Sequence, residues 1–180
     1  MSTVEPLADD WLVLIDPQAI FADPATSQWG SPMFAGALPE MIRLATAYGP
    51  QRTIVTRFVA DPGLGGSWAT YYEDWAFALV PDADPLYAVD PALAPLAGHV
   101  VTEATFGKWG DQLRGLVGPQ PRLTLGGVST DCCIIATALP AADAGATIRV
   151  PAAACAGSSL ENHAAALQVM ALFGPQIVIC

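Results

Sequence analysis

Two side chains in this sequence have the type and placement for nucleophilic chemistry: a cysteine where a helix begins and an aspartate where a strand ends. In Arg122-Leu-Thr-Leu-Gly-Gly-Val-Ser-Thr-Asp-Cys-Cys133 an apolar run passes through glycines into Thr130-Asp131 and two adjacent thiols. A helix start leaves four N–H groups without intrahelical partners and carries about half a positive charge, and both effects stabilise a thiolate. The same amides suit a developing oxyanion, which makes the backbone of Ser129, Cys132 and Cys133 the expected donors. Asp16, in Leu14-Ile-Asp-Pro-Gln18, directly follows an apolar run. There it is partly desolvated and can take the proton of a nucleophile. Thr130 and Asp131 fit helix caps better than substrate contacts. Cys155 and Cys180 lie in or beside apolar segments and read as packing residues.

The elements that must position these groups follow from hydrophobic patterning. Short apolar runs occur at Trp11–Ile15, Thr53–Thr56, His99–Thr102, Leu123–Val128, Thr147–Val150 and Gln176–Cys180. They are nearly continuous rather than alternating, as in parallel strands covered on both faces. Helix-compatible segments between them predict a three-layer α/β/α architecture around a six-stranded parallel sheet, Rossmann-like, in a single domain over residues 1–180. Leu38–Tyr48 is one helix, stopped by Gly49-Pro50, and Asp111–Leu116 is a shorter one. Ser158-x-x-Glu161 reads as a capping box ahead of Leu160, Ala164, Leu167 and Ala171 at helical spacing. The helix after Asp131 should be kinked or shortened by Pro140. Loops are expected at Phe21–Pro32 and Asp61–Gly66, near the mouth of a site, because ligands in open α/β sheets bind outside the carboxyl ends of the strands.

Composition excludes several classes of function. With 17 acidic and 7 basic residues the formal charge is -10, and the basic residues are scattered, so no cationic face exists for nucleic acid or an anionic membrane surface. The first ten residues are acidic where a secretory signal would be positive, and no apolar run is long enough to cross a bilayer, which predicts a cytoplasmic protein. The four cysteines lack CxxC spacing and only His99 and His163 are present, so neither a zinc site nor a disulfide scaffold is expected.

The residues around the two chemical groups resemble one family. Leu14-Ile-Asp-Pro-Gln18 is similar to the first-strand Asp-x-Gln motif of the isochorismatase-like cysteine hydrolases. Gly127-Val-Ser-Thr-Asp-Cys-Cys133, followed by Ala136-Thr-Ala-Leu139 and Ala142-Asp-Ala-Gly145, resembles their nucleophile motif. The segment from His163 resembles their last helix, so the likeness spans nearly the whole chain. It implies an Asp–Lys–Cys triad in which cysteine attacks a carbonyl or imine carbon, aspartate is base and then acid, and lysine stabilises charge. By position Asp16 matches the aspartate and Cys133 the nucleophile, with Cys132 as the fallback. The resemblance also implies a cis bond between Val128 and Ser129, no cofactor, a small-molecule substrate, and a homo-oligomer.

The match fails at the third member. Where the family reads Val-Val-x-Lys, this chain reads Val100-Val-Thr-Glu103, and its one lysine, Lys108, stands five residues further on, where it would restore a relocated triad if its ammonium reached Asp16 and Cys133. A glutamate beside Asp16 would favour a shared proton and oppose a thiolate. Two readings therefore stand: a hydrolase acting on a C–N bond of a small amide, with Asp16, Glu103 and Cys133 at its centre, or a catalytically silent homologue that binds or assembles. Phe58, Trp68, Tyr72 and Lys108 are the candidate substrate contacts, ordinary core packing being the alternative for the aromatics. Nicotinamidase is disfavoured because Asp61-Pro-Gly63 lacks the histidine of that subgroup's metal motif. Isochorismate cleavage is disfavoured because that subgroup typically lacks the cysteine and takes an anion that this acidic chain would repel.

Overall fold

Successive side chains of the first strand point to opposite faces of a sheet, and both faces are apolar. In the computed structural model, which describes residues 4–180, Leu12 and Leu14 enter one core and Val13 and Ile15 the other. Residues 1–3, part of the acidic stretch read against a secretory signal, lie outside the described residues. The strands are β1 (Asp10–Ile15), β2 (Thr53–Phe58), β3 (His99–Glu103), β4 (Arg122–Val128), β5 (Thr147–Val150), β6 (Cys155–Ala156) and β7 (Ile177–Ile179). All pair in parallel, in the order β3-β2-β1-β4-β5-β7, with β6 alongside β4. The sheet thus has seven strands where six were expected. The addition is a two-residue strand beside Gly127 and Val128, too short to leave a pattern in sequence.

Helices α1 (Ala19–Ala22), α2 (Phe34–Tyr48) and α3 (Ser67–Asp74) cover one face, and α4 (Asp111–Val117), α5 (Ile135–Asp143) and α6 (Leu160–Ala171) the other. No helix is long and apolar enough to cross a membrane among the described residues. Helix α2 begins a turn before Leu38 because the Met33 carbonyl accepts from both Gly36 and Ala37, at 3.1 Å each. Helix α5 runs through Pro140, whose missing N–H leaves the Ala136 carbonyl without its usual intrahelical donor. Helix α6 is capped by Ser159, not Ser158: the Ser159 hydroxyl accepts from the Asn162 N–H at 3.1 Å. Ser158 is already engaged, donating through N–H and Oγ to the Asp131 carboxylate at 2.8 and 2.6 Å. Asp131 therefore ties two loops together and does not cap its own helix.

The chain order reverses at β1, with β2 on one side and β4 on the other, and the carboxyl ends of strands flanking such a reversal form the usual ligand crevice of an open α/β sheet. Asp16 follows β1 and the Cys133 turn follows β4. Gly127 brings them together: its φ is +115°, and a Cβ there would fall 2.1 Å from the Ile15 carbonyl oxygen. Only glycine permits both that conformation and that approach.

Candidate active site

Asp16 leaves β1 with φ of +44°, in the left-handed region that aspartate tolerates better than most residues. Thr56, on the neighbouring strand, holds it twice. The Thr56 hydroxyl accepts from the Asp16 N–H at 3.0 Å and donates to Asp16 Oδ1 at 2.6 Å. Gln18, fully buried, donates to the carbonyls of Phe58 and Tyr87 at 3.0 and 2.8 Å and accepts from the Phe58 N–H at 2.7 Å. The second polar residue of the Asp-x-Gln motif is therefore a brace that fixes the end of β2 against β1.

The other carboxylate oxygen of Asp16 faces a cation. Lys108 Nζ lies 3.0 Å from Asp16 Oδ2, and neither side chain has solvent exposure. The ammonium also donates to the Thr105 carbonyl at 2.7 Å and lies 5.3 Å from the centre of the Phe58 ring. Of the two roles the sequence left open for Lys108, substrate contact and relocated lysine, this geometry fits the second: it is the charge partner of Asp16. A buried pair of this kind holds only where further hydrogen bonds offset desolvation. Thr56 and Thr105 supply them.

Glu103 does not take the lysine's place. Strand register sets its backbone opposite Phe58, but its carboxylate turns to the amino end of α4, where a Cβ on Gly110 would fall 2.6 Å from Oε1. An acidic group suits that end of a helix. The expected Asp16–Glu103 carboxylate contact is thus replaced by an Asp16–Lys108 ion pair, because the loop after β3 carries Lys108 back over Phe58.

Cys133 sits in a wide, π-type turn over Thr130–Ile134 that leads into α5. It is buried, at 3% exposure, on the floor of a cavity, whereas Cys132 is exposed at the wall. Burial pushes the Cys133 thiol well above its ordinary range, the Asp16 carboxylate pushes the same way, and the Lys108 ammonium opposes them. Cys132, though exposed as a residue, is pushed up to about 11, by partial burial in the cavity wall first and then by Asp131. The Val128–Ser129 bond is cis. Of the three expected oxyanion donors, the Cys132 N–H is already spent on the Ser129 carbonyl at 3.2 Å, since the turn closes there.

The cavity has a volume of about 180 Å³. Its aromatic walls are Phe21, Trp29, Phe58, Tyr71 and Phe106, and its polar edge is Gln28, Ser129 and Ser158. No charged residue lines it. Phe58 is thus in the wall, but Trp68 and Tyr72 are not: Trp68 packs behind Tyr71 at 5.3 Å between ring centres, and Tyr72 is in the core. The helical rotation of α3 presents Tyr71 instead. Burial raises the Tyr71 phenol, and the nearby Cys132 and Cys133 raise it further, so it stays protonated. Phe21 and Trp29, stacked at 5.9 Å, come from the first loop read as a mouth of the site. Their signal in sequence was only their place in that loop. Among the described residues no group of three or more His, Cys, Asp or Glu is placed to hold a metal ion.

The fold that brings an aspartate after β1 and a cysteine after β4 to the reversal of the sheet has counterparts among known proteins. A family model described as the isochorismatase domain matches residues 10–179. The chain belongs to the isochorismatase family. No curated protein matches its sequence. Solved structures share the fold at low identity. A cysteine hydrolase from Pseudomonas syringae pv. phaseolicola 1448A superposes with a TM-score of 0.75 at 18% identity, over 96% of this chain and 88% of that one. A nicotinamidase/pyrazinamidase from Bacillus subtilis gives 0.73 at 20%, over 94% and 99%. A MAR1 ribonuclease from Caenorhabditis elegans gives 0.69 at 16%, over 99% and 79%. Three differently named activities on one fold leave the choice of substrate to the site.

Proposed function

We propose that this isochorismatase-family chain is a cysteine-dependent hydrolase of the C–N bond in a small, uncharged amide or related molecule. The observation that carries the reading is the buried Lys108–Asp16 pair, 3.0 Å apart, beside the Cys133 thiol on the cavity floor. The thiol is neutral at rest, held so by burial and by Asp16. As its sulfur attacks the substrate carbonyl carbon, Asp16 takes the proton, so charge separates only while the C–S bond forms. During that proton transfer Lys108 offsets the transient negative charge on sulfur, which passes to the carbonyl oxygen as the C–S bond forms. The carbonyl oxygen becomes an oxyanion facing the amides of Ser129 and Cys133. Asp16 returns the proton to the departing nitrogen as the C–N bond breaks. A water that gives its proton to Asp16 adds to the thioester, and the acid leaves as Cys133 regains its proton.

Aromatic walls without a charged group favour a flat, neutral substrate over an anion. Exposed apolar side chains on and just after α6, Leu160 at 75% and Leu172 at 82%, support a homo-oligomer, which light scattering of the purified protein tests. The composition supports a single cytoplasmic domain that binds neither nucleic acid nor membrane.

The test is ammonia release from a panel of neutral primary amides, nicotinamide, pyrazinamide and benzamide among them, by wild type, Cys133→Ala and Asp16→Asn. Turnover of at least one amide, lost in both variants, is expected. Turnover that survives Cys133→Ala refutes the mechanism. A silent protein whose Cys133 alkylates no faster than buried Cys155 points to the binding reading.

A further inference from the structure

In this chain the charge partner of Asp16 lies on a loop, so something must hold that loop against the helix that carries the nucleophile. Two contacts do so. The Thr137 hydroxyl, fully buried on α5, accepts from the Lys108 N–H at 2.9 Å and donates to the Cys133 carbonyl at 2.7 Å. One residue earlier in each segment, Gly107 packs on the Ala136 carbonyl, so closely that a Cβ would fall 2.7 Å from that oxygen. That carbonyl is the one Pro140 leaves without a helical donor.

A threonine that bonds the carbonyl four residues back is common in helices. Here the bond fixes the hydroxyl so that its oxygen meets the Lys108 N–H, a buried donor that would otherwise lack a partner. We infer that Thr137 is a positioning residue: one hydroxyl joins the backbones of Lys108 and Cys133 and sets the ammonium against Asp16 and the nucleophile. Gly107 completes the dock by letting the loop lie flat on α5. The inference rests on the proposed reading that Lys108 serves Cys133.

The experiment measures the alkylation rate of Cys133 by iodoacetamide from pH 6 to 10.5, with fragment-ion mass spectrometry separating it from adjacent Cys132. Wild type is compared with Thr137→Val, Thr137→Ser, Gly107→Ala and Lys108→Met, with thermal unfolding of each as a control. Lys108 holds the Cys133 thiol below where burial and Asp16 alone would put it. Displacing the ammonium therefore moves the profile to higher pH. Thr137→Val and Gly107→Ala should each slow alkylation at pH 8 by roughly tenfold, a shift of about one pH unit, in the direction of Lys108→Met. Thr137→Ser, which keeps the hydroxyl, should follow wild type even if its melting temperature drops. If Thr137→Val is folded and keeps the wild-type profile while Lys108→Met shifts it, Thr137 does not position the lysine. If Thr137→Val fails to fold, Gly107→Ala decides, and an unshifted profile there overturns the dock. If Lys108→Met itself leaves the profile unchanged, the failure lies in the proposed function.

Discussion

Replacing Lys108 by methionine keeps the apolar stem and removes the charge, which isolates what the ion pair contributes. At 3.0 Å the attraction to Asp16 is about 5.5 kcal/mol for an effective dielectric constant of about 20. Both charges are fully buried, so desolvation offsets part of it, and the cost of removing one partner is about 3–5 kcal/mol. Urea unfolding of both proteins at pH 7 reads this loss directly. Turnover of any amide that wild type accepts should fall by about 10²–10³-fold, because the charge developing at Cys133 loses its cation. A variant as stable as wild type at pH 7 refutes the reasoning.

Glu103→Lys should leave turnover unchanged, since Glu103 faces Gly110, and should cost about 0.3–1 kcal/mol by removing an acid from the start of α4; a gain in turnover would show that Glu103 restrains the site. Thr56→Val removes both bonds to Asp16 and should cost about 1–3 kcal/mol in unfolding, with a loss of turnover that Thr56→Ser restores. Gly127→Ala, with φ of +115° and no room before Ile15, should lose about 2–6 kcal/mol and show it as a lower urea midpoint. Above pH 9 wild type itself should weaken. The folded state holds the proton of Cys133 above its ordinary 9.0, and burial raises Tyr48 from 10.0 to about 12, so the unfolded chain releases protons first and the urea midpoint should fall between pH 9 and 12.

The strands were legible because parallel strands buried on both faces leave continuous apolar runs, and Thr147–Val150 was placed to the residue. What escaped had a physical reason in each case. Strand β6 is two residues long and exists only because β4 offers Gly127 and Val128 as partners. Helix α3 lay hidden behind a Gly-rich loop, and without its rotation Tyr72 looked as good a wall as Tyr71. The one-residue shift of the α6 cap turned on a contact with Asp131, 27 residues away, which no local pattern encodes.

The lysine is the instructive case. Position along a strand locates a side chain well, because pleat and register fix where it points, and on that basis Glu103 stood at the site. A loop carries no such rule. Lys108 reaches Asp16 because Gly107 lies on the Ala136 carbonyl, Thr137 takes the Lys108 N–H and Phe58 leaves a face for the ammonium. Ala136 and Thr137 lie on α5 and Phe58 on β2, all far from Lys108 in sequence. What sequence does carry is chemical necessity: Asp16 and a buried thiol require a cation, and this chain has one lysine to give. The six arginines supply no substitute, since Arg43, Arg52, Arg57, Arg114 and Arg149 are paired with acids elsewhere and Arg122 is exposed at the opposite end of β4. The sequence thus offered Lys108 as a relocated lysine while strand alignment put Glu103 at the site, and the packing of the loop decides for Lys108.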